Sequence, residues 1–327
     1  MIDLLGAPFD LCGRRPGSRL GPAALRLADL AASLAALGLD VRDAGNTQVA
    51  DQPDAAGGLK GFGSAVLMFG HLRRAVALSI QAGRLPLVLG GDHSLAIGSV
   101  SGALQACGED LAVLWIDAHV DLNIPATSGS GNLHGMPVSA LMGRESGVEG
   151  LRDQQWRQLL DEIVPPTRMP RDSFAWIGLR DADQGERDAL KDLPACFATT
   201  MQDVDRFGIE RVVREFGTWM RQRGRTNLWI SFDVDALDPI LAPGTGTAVR
   251  GGLSYREAHL CAELLREMLD APDCPYRLVG LDLVETNPLY DSHNETARMA
   301  VEWIASLFGK TILGAPSRLG SSPGAGM

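Results

Sequence analysis

Along the chain, short apolar runs alternate with longer stretches in which apolar residues recur at helical spacing, and Gly or polar residues punctuate the joins. Runs at 2–5, 40–43, 85–89, 111–116, 174–178, 228–232 and 278–283 read as strands, with a further one near 196–199. Most are continuously hydrophobic, the pattern of strands buried on both faces of a parallel sheet. Helical periodicity fits 22–37, 63–82, 95–106, 139–141 and beyond, 152–162, 209–222, 255–269 and 296–308. This alternation gives βαβ units, hence an α/β fold with a mostly parallel sheet of roughly eight strands covered by helices on each side. No shift in composition marks a linker and no internal repeat is present, so residues 1–313 read as one domain. The Gly-, Ser- and Pro-rich stretch 314–327 reads as a disordered tail.

Composition narrows the partners. With 45% hydrophobic and 21% charged residues, the chain is an ordinary globular protein and not a charge-rich disordered one. Thirty basic residues against 40 acidic ones leave a net charge of −10, so no electrostatic footprint for nucleic acid or anionic lipid exists. Small molecules and metal cations are the expected partners. No apolar run is long enough for a membrane span, and Met1-Ile2-Asp3-Leu4 lacks the basic start of a signal peptide, which makes the cytoplasm the expected location. The five cysteines are scattered and form no C-x-x-C pair, which argues against a disulfide framework or a structural zinc site.

Polar residues gather where four apolar runs stop, the edge at which open α/β sheets bind ligands. After 85–89 comes Gly90-Gly91-Asp92-His93, a pattern that alone is more often a capped turn than a site. After 111–116, Asp117, His119 and Asp121 alternate, so an extended backbone projects all three to one side. Two carboxylates crowded there repel unless a cation neutralises them, which favours a metal over a solvated edge. Asp233 and Asp235 repeat the spacing after 228–232, whereas Asp238 precedes a proline and reads as a turn residue. Two imidazoles and four carboxylates suit Mn²⁺, with Co²⁺ and Ni²⁺ also acceptable, and supply enough oxygens for two ions. Two such ions can hold a water between them and make hydroxide available near neutral pH, which is hydrolytic chemistry. After 278–283, Glu285 stands alone and suits a cationic substrate group or a helix cap. The polar loop 123–137 carries His134, a candidate proton carrier or a buried structural histidine. In the loop after 174–178, Asp181 and Asp183 read either as acceptors for a substrate amine or as a solvated turn.

The segments GGDHSLAIGS, WIDAHVDLN, TSGSGNLHGMPVSAL, IGLRDADQGE, SFDVDALDP, GTGTAVRGGLSYRE and VETNP, with the amino-terminal LLGAPFD, resemble the arginase family of ureohydrolases in order and spacing. The resemblance covers roughly residues 1–312 and points to its bacterial-type members. It implies a three-layer α/β/α fold, two Mn²⁺ ions per chain and hydrolysis of a guanidino compound, L-arginine above all, to urea and an amine. Carried over by position, His93, Asp117, Asp121 and Asp233 would hold one ion and His119, Asp117, Asp233 and Asp235 the other, with Asp117 and Asp233 bridging. His134 would be the acid/base residue, Glu285 the guanidinium partner, and Asp121 a catalytic residue besides its ligand role. Asn123, Ser128 and Ser130 would receive an α-carboxylate and Asp183 an α-ammonium, with Asp181 and Thr247 as further substrate contacts. Ser128 departs from the commoner Thr, and the Arg14-Arg15-Pro16 loop departs from the usual pattern. Family members form trimers or hexamers, so a homo-oligomer is expected.

Rival readings are an agmatinase or guanidinobutyrase in the same family, a two-metal phosphoesterase, a metal-dependent deacetylase and a non-catalytic binding homologue. A phosphoesterase would want more histidines and an Asn-His pair, and none of the six histidines follows an Asn. A homologue without activity would be expected to have lost ligands, whereas all six are present. His71, His259 and His293 read as surface or packing residues.

Overall fold

The computed structural model describes residues 1–312. In chain order the elements are β1 (Ile2–Gly6), α1 (Gly21–Leu27), α2 (Leu30–Ala35), β2 (Val41–Asn46), α3 (Phe62–Gln81), β3 (Leu85–Leu89), α4 (Ala96–Cys107) and β4 (Leu111–Ile116). There follow α5 (Pro137–Leu141), α6 (Leu151–Glu162), β5 (Phe174–Leu179), α7 (Gln184–Lys191), β6 (Phe197–Thr200), α8 (Met201–Phe207) and α9 (Ile209–Arg223). The last are β7 (Asn227–Asp233), α10 (Tyr255–Asp270), β8 (Arg277–Val284) and α11 (Glu295–Leu307). The expected tail 314–327 lies outside the described residues.

All eight strands join one sheet in the order β2-β1-β3-β8-β7-β4-β5-β6, every pairing parallel. Successive residues of β4 explain the layering. Ala112, Leu114 and Ile116 pack into a core with α1, α2, α9, α10 and α11, while Leu111, Val113 and Trp115 pack into a second core with α3, α4 and α6. Six residues of continuous hydrophobicity therefore serve two cores through the two-residue period of a strand. Among the described residues, no helix is long and apolar enough to cross a membrane.

Three local departures from the sequence reading have physical causes. The single helix expected over 22–37 is two, because Asp29 adopts a left-handed conformation (φ 60°) that short polar side chains tolerate. In an unbroken helix Leu30 would stand about 140° around the axis from Leu25. The break lets both be fully buried. Helices α7 and α8 were not expected from periodicity, being short, yet each begins with a reciprocal capping box, Asp183 with Glu186 and Thr200 with Asp203. Strand β2 is largely exposed, and its Arg42 and Asp43 mark it as a charged sheet edge.

Candidate metal centre

The carboxyl ends of β3, β7 and β4 open onto one cavity, and β8, which lies between β3 and β7, ends beside it and brings Glu285 to His93 and His134. At the end of β3 the chain turns so close to the amino-terminal loop that a Cβ on Gly91 would lie 1.6 Å from the Phe9 carbonyl oxygen. Asp92 holds the turn by accepting from the Ser94 amide at 3.1 Å and the Cys12 amide at 3.0 Å. His93 then enters the sheet end, stacked on Trp115 with ring centroids 4.1 Å apart.

The state of the His93 ring follows from its neighbours. Nε2 lies 2.8 Å from Ser231 Oγ, and Ser231 gives its only proton to Asp282. Asp282 is itself buried and also accepts from Trp229 Nε1 at 2.9 Å and Ser99 Oγ at 2.6 Å. Nε2 must therefore be the donor to Ser231, and a neutral ring keeps a lone pair at Nδ1. That Nδ1 is buried and takes no hydrogen bond, although Asp117 Oδ2, Asp121 Oδ2 and Asp233 Oδ2 lie 3.0, 3.1 and 3.2 Å away. Burial lowers the His93 pKa, but the neighbouring Asp117, Asp121 and Asp233 carboxylates raise it well above its ordinary value, so the bare chain draws a proton to the place where a cation among those oxygens would meet the lone pair of a neutral ring.

A second group adjoins the first. His119 Nδ1 lies 3.1 Å from Asp235 Oδ2 and 3.4 Å from Asp117 Oδ1. Asp117 thus turns one oxygen to each histidine, and two sets with metal-ligand spacing result, His93 with Asp117 and Asp233, and Asp117 with His119 and Asp235. Asp121 joins the first through its contact with His93. Asp233 falls in the first set alone, its Oδ1 accepting from the Asp235 amide at 2.7 Å. Burial and the neighbouring charges of Asp235 and Asp117 push the Asp233 carboxyl well up from its ordinary value. The donor set therefore fits two divalent cations better than it fits the bare chain. Asp238, set aside as a turn residue, indeed accepts from the amides of Ile240, Gly251 and Gly252.

Two of these residues stand on strained backbone. Asp121 and Glu285 have φ of 55° and 61°, a region that non-glycine residues enter at a cost and that clusters at functional sites. Glu285 is buried, and its Oε1 accepts from the His93 amide at 3.0 Å and meets His134 Nδ1 at 3.1 Å. Its Oε2 takes no hydrogen bond among the described residues and faces the space beside Gly246. Burial lowers the His134 pKa, but the Glu285 hydrogen bond and the charges of Glu285, Asp92 and Asp121 outweigh it and raise it overall.

The cavity, about 270 Å³, is lined by His93, His119, Asp121, Asp233 and His134 at its floor side and by the 123–137 loop and the loop after β5 elsewhere. Asn123, Ser128, Ser130, Asp181, Asp183 and Thr247 all line it. Their contacts sort them. Asp181 lies 3.8 Å from His119 Nε2, and Thr247 donates to Asp235 Oδ2 at 2.8 Å, so both brace the second group. Asn123 is held between Asp183 and Thr127, and Asp183 also caps α7.

Residues 1–309 match the family model described as "Arginase family". The chain belongs to the arginase family. An arginase from Staphylococcus aureus is 41% identical, the match covering 95% of this chain and 98% of the relative. An arginase from Bacillus caldovelox is 37% identical over 95% of this chain and 99% of its own. The native crystal structure of the Bacillus caldovelox enzyme superimposes with a TM-score of 0.84 at 36% identity, covering 95% and 99% of the two chains.

Arg180 and Glu186 complete this arginase-family site without having stood out in the sequence. The Arg180 guanidinium donates to the carbonyls of Asp235, Ala236, Leu237 and Val249, pinning the turn that presents Asp235 to the loop that carries Thr247. Glu186 lines the cavity and is pushed up to about 7 by burial and the charge of Asp121. The D-x-x-E spacing of the α7 capping box was the signal for Glu186. Nothing local in the sequence distinguishes Arg180 from a surface arginine.

Proposed function

We propose that the chain hydrolyses L-arginine to L-ornithine and urea at a centre of two divalent metal ions, Mn²⁺ by preference. The observation that carries the reading is the buried His93 Nδ1, without a hydrogen bond and facing three carboxylates, beside a second His/Asp set, in a chain of this family. His93, Asp117, Asp121 and Asp233 would hold one ion, and His119, Asp117, Asp233 and Asp235 the other. The mixed imidazole and carboxylate set suits Mn²⁺, with Co²⁺ and Ni²⁺ as substitutes. When bound, the ions supply Lewis acidity that makes water a nucleophile near neutral pH.

The rest falls to the chain's own groups. Glu285 Oε2 accepts from the guanidinium and aims its carbon at the metal side. Glu285 Oε1 fixes the His134 ring and favours its protonated form, so that Nε2 hands a proton to the departing amine. Asp121, strained and next to His93, keeps a carboxylate oxygen toward the reacting water. At the far end Asn123, Ser128 and Ser130 receive the α-carboxylate and Asp183 the α-ammonium, while Asp181 and Thr247 steady the ligands His119 and Asp235. The same proposal takes residues 1–313 as one catalytic domain, a homo-oligomer of three or six chains as the working form, and the cytoplasm as its place.

Urea release measured with manganese supplied, over arginine, agmatine, guanidinobutyrate and guanidinopropionate, tests the substrate. The expected result is a kcat/KM for arginine higher than for agmatine by roughly 10²- to 10³-fold, since solvent at the cavity mouth replaces part of the lost bonding. A preference for a substrate lacking the α-amino acid group contradicts the proposal.

A further inference from the structure

Of the Asp, Glu, Arg and Lys residues in the cavity wall, all but one are acidic. Asp121, Asp181, Asp183, Glu186 and Asp233 line it, and Arg14 is the one Arg or Lys among the lining residues. Arg14 stands on the loop between β1 and α1, together with Arg15 and Arg19. Those two have partners, Arg15 over the Tyr290 ring at 5.1 Å and Arg19 on Asp10 and Asp51. Among the described residues, no carboxylate lies within ion-pair distance of the Arg14 guanidinium and it makes no side-chain hydrogen bond.

The loop beneath it is tied at both ends. The Cys12 amide donates to Asp92 at 3.0 Å, the Gly17 amide to Asp10 at 2.6 Å, and Asn287 Nδ2 to the Pro16 carbonyl at 3.1 Å. Arg14 therefore projects from an anchored base into an exposed position at the mouth. The same cavity is lined by Ser128 and Ser130, whose hydroxyl oxygens accept from the amides of Gly131 at 3.1 Å and Asn132 at 3.2 Å. The two hydroxyls also lie 3.4 Å apart, so one donates to the other and one proton of the pair is left to donate outward. A cation and a hydroxyl donor in the same cavity wall as Asp183 and Glu186 match the two ends of an amino acid zwitterion.

We propose that Arg14 is a specificity-determining residue that pairs with the α-carboxylate of the substrate alongside Ser128 and Ser130. This rests on the reading of the chain as an arginine hydrolase. It also makes the site discriminate by repulsion, because agmatine brings a second cation where arginine brings a carboxylate. Arg14 thus lowers KM for arginine and opposes agmatine with the same charge.

Steady-state kinetics of wild type, Arg14→Ala, Arg14→Lys and Arg14→Glu on arginine and agmatine, with calorimetric binding of ornithine and putrescine as a readout independent of turnover, test it. Arg14→Ala is expected to raise the arginine KM and weaken ornithine roughly 5- to 30-fold, the scale of a charge-assisted contact at a partly solvated mouth. It should leave kcat and metal content unchanged and agmatine no worse. Lysine should recover part of the loss, Glu should exceed Ala, and added salt should narrow the wild-type advantage. An unchanged arginine KM in Arg14→Ala, or equal losses for both substrates, overturns the inference. Absence of urea release from arginine in the wild type removes the underlying reading instead, which separates the two failures.

Discussion

His93 gives its Nε2 proton to Ser231, and its Nδ1 is buried without a hydrogen bond against Asp117, Asp121 and Asp233, where a cation would meet a lone pair. The three carboxylates were legible in the sequence because they follow apolar strands at two-residue spacing. The tautomer was not, since Ser231 and Asp282 approach His93 only through strand pairing and long-range contact. Likewise Glu285 looked like a lone substrate carboxylate, whereas folding also makes it the partner of His134 Nδ1. If His134 transfers the proton, His134→Asn should lower kcat by roughly 10²- to 10⁴-fold, the span usual for acid/base groups, with KM and metal content little changed. Single-turnover urea release at wild-type rate from His134→Asn would return it to a structural role.

At the scale of elements, strands were the readable part, since continuous apolar runs are a strong signal and all eight form. Helix edges and the short α7 and α8 were less so, because a helix of two turns shows too little periodicity and its start is marked by capping chemistry alone. The turn after β7 illustrates what spacing cannot convey. Its three carbonyls from Asp235 to Leu237 point at one guanidinium from the far side of β4, and without Arg180 those of Asp235 and Leu237 would lose their donor, whereas Ala236 keeps the Leu253 amide at 2.9 Å. Lysine cannot reproduce that fork of donors. Arg180→Lys should therefore cost about 1–3 kcal/mol of stability in denaturant unfolding and weaken binding of the ion that Asp235 holds. Unchanged unfolding and metal affinity would mean that water replaces the guanidinium.

For the whole molecule, acid stability follows from charges remote from the site. Asp3 on β1 is buried, with Arg84 at 2.7 Å, Arg42 at 2.8 Å and Ser79 at 2.7 Å tying it to neighbouring elements. Burial pushes its carboxyl up, but these partners together hold it below the ordinary 3.8. A carboxyl with a lowered folded pKa adds stability above its unfolded value and loses it as pH falls through the folded one. Asp3→Asn should thus lower stability by about 1–3 kcal/mol at neutral pH, and the gap to wild type should close below about pH 4, as urea unfolding across pH would record. A constant gap would place the effect in packing.

The two His/Asp sets at the centre of the sheet are most directly tested by calorimetric titration of the metal-free protein with Mn²⁺, read beside the same titration of Asp233→Ala. Two ions per wild-type chain and fewer in the variant, with arginine hydrolysis rising as the wild-type sites fill, is the expected result. Arginine hydrolysis by metal-free wild type, or two ions bound as tightly by Asp233→Ala as by wild type, would contradict the two-metal centre.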